Sequence, residues 1–182
     1  MRALVVYASK HGATQGIAER IAEKLGDAGL QAEAREATAA GSLAGWDAFV
    51  IGSAVYAGHW QKAASHFVRR DRAVLASRPV WLFSSGPLSP EAADAQEPGQ
   101  TPVPEPKEIA EFTSLIAPQE HRVFAGALDP ARLGAAERLF RKMPAGLALL
   151  PEGDFRDWAE IETWAGHIAR ELQRARPTPT VR

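Results

Sequence analysis

Six residues, Ser9-Lys10-His11-Gly12-Ala13-Thr14, carry groups suited to holding an anion. Gly12 lets backbone approach a ligand closely, and Ser9 and Thr14 supply hydroxyls. An apolar stretch precedes them and a helical pattern follows. A helix in that position directs its free N–H groups and the positive end of its dipole back into the loop. The chemistry this points to is phosphate binding. The competing reading is an ordinary strand-to-helix turn with a threonine cap. The loop lacks both G-x-x-x-x-G-K-[ST] and G-x-G-x-x-G, so it is neither a Walker loop nor a dinucleotide fingerprint.

A second group is Ser53-Ala54-Val55-Tyr56-Ala57-Gly58-His59-Trp60. Small residues with two aromatics suit a flat ring system held by stacking, with Tyr56 and Trp60 as the stacking residues. Alternatively, both aromatics close the top of the core. A third group, Ser84-Ser85-Gly86-Pro87, offers hydroxyls and open backbone. His59 is the candidate catalytic residue, as proton donor or hydrogen-bond partner to a ring edge, because imidazole titrates in the range that suits proton transfer. His66 and His167 fall in helical patterns, and His121 opens a strand and is expected in solvent. No His/Asp/Glu set has metal-ligand spacing, so no metal is expected. Without cysteine, thiolate sites, disulfides and iron–sulfur clusters are excluded.

These groups each follow a run that reads as a buried strand. The runs are Ala3–Tyr7, Trp46–Gly52 and Pro79–Phe83, with a weaker one at Leu30–Arg35 and another at His121–Leu128. Between them lie helical patterns. Ile17, Ile21 and Leu25 recur at helical spacing in 14–25; 61–76, 108–116 and 158–172 follow the same rule. Alternating strands and helices predict an α/β domain with a mostly parallel sheet. Its ligand crevice lies where the strands end and their order reverses, so the residues after each strand are the informative ones. A single domain is expected over 1–175, with a flexible tail over 176–182. The proline-rich connection over 84–106 is unusually long. The segment from Leu128 to Gly153 is an extra element, basic at Arg132, Arg138, Arg141 and Lys142 and apolar at Leu133, Leu139, Phe140 and Met143. It either meets a carboxylated hydrophobic substrate or a membrane face, or packs on the sheet with a basic outer side.

The formal net charge of −1 argues against nonspecific nucleic-acid binding and against a strongly acidic electron carrier. The apolar start is too short for a signal peptide or membrane span, so a cytoplasmic protein is expected.

Five motifs in order, "YASKHGAT", "IGSAVYAGHWQKAASHF", "LFSSGPL", "VFAGALDP" and "GDFRDWAEIETWA", resemble the flavodoxin-like flavoproteins. Within them the likeness runs to the menaquinone-dependent protoporphyrinogen dehydrogenase group. The resemblance implies a flavodoxin-like three-layer αβα sandwich with a five-stranded parallel sheet in the order 2-1-3-4-5. It implies FMN as cofactor, with phosphate roles on Ser9, Lys10, His11, Gly12, Ala13 and Thr14. Ring-side roles fall on Ser53, Ala54, Val55, Tyr56, Ala57, Gly58 and His59, and on Ser84, Ser85, Gly86 and Pro87. Lys10 and His11 depart from the small polar residues usual in that phosphate loop, and 128–153 departs from the protoporphyrinogen group. Two functions remain open. One is a two-electron oxidoreductase acting on a quinone or other small redox substrate, with peripheral contact at the inner membrane face and a homodimer as its expected assembly. The other is a one-electron carrier that docks to a redox partner protein.

Overall fold

Val5 and Val6 are neighbours that face opposite ways, and both are fully buried. A strand alternates its side chains across the sheet, so burial on both faces requires cover on both. The computed structural model, which describes residues 1–86 and 105–175, shows that cover. Strand β1 (Arg2–Ala8) lies inside a sheet ordered β2-β1-β3-β5-β6, with β2 at Gln31–Glu36, β3 at Ala48–Tyr56, β5 at Val80–Ser85 and β6 at Glu120–Phe124. Every pairing along this path is parallel. Strand β4 (His59–Trp60) pairs only with β3, antiparallel. Counting the parallel strands alone gives the expected order 2-1-3-4-5.

On one face, Ala3, Val5, Val50, Trp81 and Phe83 pack against Ile17, Ile21 and Leu25 of α1 (Ala13–Asp27) and Ile161, Trp164 and Ile168 of the last helix. On the other, Leu4, Val6, Phe49, Ile51 and Leu82 meet Phe67 and Val68 of α2 (Lys62–Leu75) and Phe112 of α3 (Glu108–Ile116). The result is a three-layer αβα sandwich.

Two local expectations change. Strand β3 runs four residues past Gly52, because Ser53 and Ala54 pair with Ser84 and Ser85 and Val55 and Tyr56 pair with β4. Residues expected in loops are therefore held at strand ends. Ala57 and Gly58 make the β3–β4 turn with both φ values positive, 51° and 75°; that twist suits a two-residue hairpin.

The run 121–128 is two strands. Strand β6 stops at Phe124, and Ala127–Leu128 (β7) pairs antiparallel with Gly153–Asp154 (β8). This small ribbon fences off residues 129–152 as an excursion. Inside it stand two short helices: α4 (Ala135–Arg141) ends before Met143, and Pro144 opens α5 (Pro144–Leu149). Proline fits a first helical turn and cannot continue the preceding one. Helix α6 (Trp158–Arg174) follows, capped by the Asp157 carboxylate, which accepts from the Glu160 N–H at 3.0 Å. Pro87 and the tail 176–182 lie outside the described residues.

Candidate functional site

The loop from Ser9 to Thr14 joins the C-terminal end of β1 to the N-terminus of α1. Gly12 takes φ 89°, the left-handed conformation that glycine adopts without strain. Its N–H donates to Ser9 Oγ at 3.0 Å, which curls the loop. No side chain caps α1 and no acid occupies its first turn. Thr14 is fully buried, and its Oγ1 has no hydrogen-bond partner among the described residues. A buried, unpaired hydroxyl is costly. Here it stands in an uncapped helix N-terminus whose dipole favours an anion.

A cavity of about 180 Å³ opens over this loop. Ala54 to Ala57 of the second group and Ser85 and Gly86 of the third border it, so the structure brings parts of all three groups together. Ser53 lies beneath the surface, donating through its Oγ–H to the Ala54 carbonyl while accepting from the Gln61 N–H. Tyr56 stays 40% exposed at the cavity wall. Burial, then the nearby charge of Glu137, pushes its phenol up to about 12.

Gly58, His59 and Trp60 do not border the cavity. Trp60 is core: it packs edge-on against Phe112, and its indole N–H donates to Ser84 Oγ at 2.8 Å. His59 is exposed, with Nδ1 2.9 Å from Glu108 Oε1; the other oxygen of Glu108 accepts from the Trp60 N–H. Burial pushes Glu108 up, but these hydrogen bonds outweigh it and hold the carboxyl below its usual range. The pair fastens the β3–β4 turn to the start of α3.

His121 is not in solvent. Its side chain is only 10% exposed, with Nε2 2.9 Å from Ser84 Oγ and Nδ1 3.1 Å from Glu105. Burial lowers its pKa against the opposing pull of Glu105. This Ser-His-Glu row has the partners of a hydrolytic triad, but Ser84 is fully buried and its Oγ also accepts from Trp60. The row ties β4, β5 and β6 to the chain at Glu105. No spacing in the sequence announces it, because its members meet only through sheet register.

The excursion supplies further unanticipated site residues. Glu137 of α4 takes a hydrogen bond from Lys10 and lies 3.4 Å from His11 Nε2. The Lys10 hydrogen bond is the largest of the effects that hold the Glu137 carboxyl down to about 2. Arg132 donates to the His11 carbonyl at 3.3 Å, and its guanidinium occupies the space that a side chain at Gly12 would need. Leu133 and Leu150 complete the cavity wall. A second cleft of about 620 Å³ lies beyond Arg132, between α1 and the β7–β8 ribbon.

The Flavodoxin domain family matches residues 4–146, well over half of the chain. The chain belongs to this family. FMN is the family's cofactor, and the protein is an FMN flavoprotein. It is 26% identical over 179 residues to the protoporphyrinogen IX dehydrogenase [quinone] of Escherichia coli K12, covering 93% of this chain and 95% of that one. An archaeal flavodoxin superposes with a TM-score of 0.58 at 17% identity, over 95% of this chain and 99% of the other. The rubredoxin:oxygen oxidoreductase of Desulfovibrio gigas gives 0.61 at 14% identity, over 95% of this chain but 36% of that larger protein. The unpaired Thr14 hydroxyl, the left-handed Gly12 and the uncapped α1 fit the phosphate of FMN.

Proposed function

We propose that the chain is an FMN-dependent two-electron oxidoreductase that passes reducing equivalents from an organic donor to a quinone. The reading takes its substrate classes from the name of the E. coli relative, which is matched over 95% of its length. One observation within the structure carries it. The 129–152 excursion walls the cofactor cavity with Leu133 and Leu150 while turning Leu139, Phe140, Met143 and Leu147 outward. An apolar hairpin that also walls the cofactor cavity suits a hydrophobic small substrate.

In this reading Ser9, Gly12, Ala13 and Thr14 hold the phosphate, and Lys10 and His11 set the charge around it. Ala54 to Ala57, Ser85 and Gly86 border the ring. When bound, FMN supplies hydride-level electron transfer; the protein supplies position, electrostatics and exclusion of water. Proton exchange is assigned to His59, which stands outside the cavity two residues beyond its Ala57 wall and is held through Nδ1 by Glu108. Among the described residues no helix is long and apolar enough to cross a membrane. A quinone in a bilayer would therefore be met from its surface, through the outward apolar residues.

Stepwise anaerobic reduction of the FMN-loaded protein, followed by visible absorbance, tests the reading. We expect a single-stage passage to the fully reduced spectrum, rapid reoxidation by a soluble quinone, and turnover with protoporphyrinogen as donor. His59→Ala should slow reduction or reoxidation and leave FMN affinity unchanged. A two-stage titration with no quinone turnover would assign the protein as a one-electron carrier.

A further inference from the structure

The phosphate loop contains one lysine, Lys10, and its neighbour His11. Both are engaged by an element from the far end of the chain. Lys10 donates to Glu137 Oε1, and His11 Nε2, on a side chain only 8% exposed, faces Glu137 Oε2 at 3.4 Å without making a hydrogen bond. The same carboxylate accepts from the Gly134 N–H at 3.0 Å and so also caps its own helix, α4. His11 is fixed from its other side, with Nδ1 3.0 Å from the Arg132 carbonyl. Glu137 lines the same cavity as Ser9, Thr14 and Tyr56. The excursion thus lays a carboxylate on Lys10 and against His11, in the cavity that also holds the one hydroxyl of that loop left unpaired.

We propose that Glu137 is an intramolecular competitor of the FMN phosphate, so that cofactor affinity is set by the docking of the excursion on the phosphate loop. The proposal rests on FMN being the cofactor. A phosphate monoester carries about −1.5 to −2 charges at pH 7 and seeks the cation that Glu137 holds. Two anions sharing one ammonium repel each other, and at a pair as open as this one, with Lys10 47% and Glu137 26% exposed, the repulsion is partly screened by water and salt. Binding of FMN and docking of α4 are then negatively coupled, and the coupling is the same from either side. His11 and Arg132 keep the excursion in register over the loop. Asp129 and Glu152 of the excursion, with Glu19 and Asp154, line the neighbouring cleft that His11, Gly12 and Ala13 share, but Glu137 is the carboxylate that takes the Lys10 hydrogen bond.

Glu137→Gln tests this with little risk to the fold, because the amide oxygen still accepts from Gly134. FMN and riboflavin, which lacks the phosphate, are titrated into flavin-free wild-type and variant protein by fluorescence quenching. The expected result is tighter FMN binding in the variant, by about fivefold or more, within the roughly 5- to 150-fold range of coupled sites, with riboflavin affinity unchanged. As the reciprocal readout, saturating FMN should speed tryptic cleavage after Arg138 and Arg141 in the wild type. FMN affinity that stays the same or falls in Glu137→Gln overturns the proposal. Equal tightening for both flavins also overturns it, since the carboxylate would then act against the ring. A wild-type protein that binds neither flavin overturns the cofactor assignment itself, and this inference with it.

Discussion

Thr14 is the residue at which the proposed phosphate site is most directly tested. Its hydroxyl is buried without a partner, which costs about 1–3 kcal/mol where no ligand answers it. Thr14→Val keeps the shape and removes the hydroxyl. The flavin-free variant should be as stable as wild type or more so in urea, while FMN binds about tenfold or more weakly, the loss of one charge-assisted hydrogen bond. Equal FMN affinity in the two proteins would remove Thr14 from the phosphate site. Tyr56 offers a second test. The chain has two tyrosines, and both phenols are raised: Tyr7 by burial and then by Glu19 and Glu36, Tyr56 to about 12 by burial and then by Glu137. A raised folded pKa means stability that is complete below the ordinary value near 10 and lost as pH climbs through the folded one. Ultraviolet titration of the folded protein should therefore show less phenolate at pH 10 than the unfolded chain does. Unfolding should become easier between about pH 10 and 12.

The elements were legible in proportion to how local their causes are. Ile17, Ile21 and Leu25 announce α1 by spacing, and the buried runs of β1, β3 and β5 announce a parallel sheet covered on both faces. The turn over 9–14 from β1 into α1 was legible because glycine, hydroxyls and a helix start are neighbours in sequence. The Ser84–His121–Glu105 row and the Glu137–Lys10 contact were not, because each joins residues far apart in the chain whose meeting depends on tertiary placement. The break within 121–128 was hidden for a similar reason. "HRVFAGAL" is apolar from Val123 to Leu128 with nothing to mark a stop, and only the partner strand at Gly153–Asp154 pulls Ala127–Leu128 out of the sheet. Helix ends carry local strain that can be tested directly. Ala117, exposed and at φ 43°, closes α3 in the left-handed region, where a Cβ is disfavoured. Ala117→Gly should stabilise the protein by roughly 0.5–1 kcal/mol, visible as a rise in Tm of about 1–4 °C. A lower Tm would mean that α3 does not end in that conformation.

At the scale of the whole molecule, apolar exposure is concentrated in one place. The exposed large hydrophobic residues among those described are Tyr56, Val74, Leu139, Phe140, Met143 and Leu147, and four of these six stand on the α4–α5 hairpin. Between Arg138 and Leu147 the chain carries Arg138, Arg141 and Lys142 and no acid. The arginines are partly committed to structure: Arg138 donates to the Leu133 and Ala131 carbonyls, and Arg141 to the Leu150 carbonyl and Glu152. Reversing all three charges would therefore unfold the hairpin as readily as it would test a surface. Gly146 sets a further constraint, since a side chain there would run into the Phe140 carbonyl where the two helices meet. An exposed apolar face with basic neighbours is the pattern of an element that lies on an anionic bilayer. A better variant is Leu139→Ser with Met143→Ser and Lys142→Glu, which leaves the arginines and Gly146 in place. The wild type should co-float with vesicles of anionic phospholipid at low salt, and the triple variant should not. Reoxidation by a soluble quinone should be equal in both proteins, whereas reoxidation by quinone embedded in the vesicles should fall in the variant. Equal flotation of the two proteins would leave the hairpin without a membrane role and return its apolar face to a soluble partner.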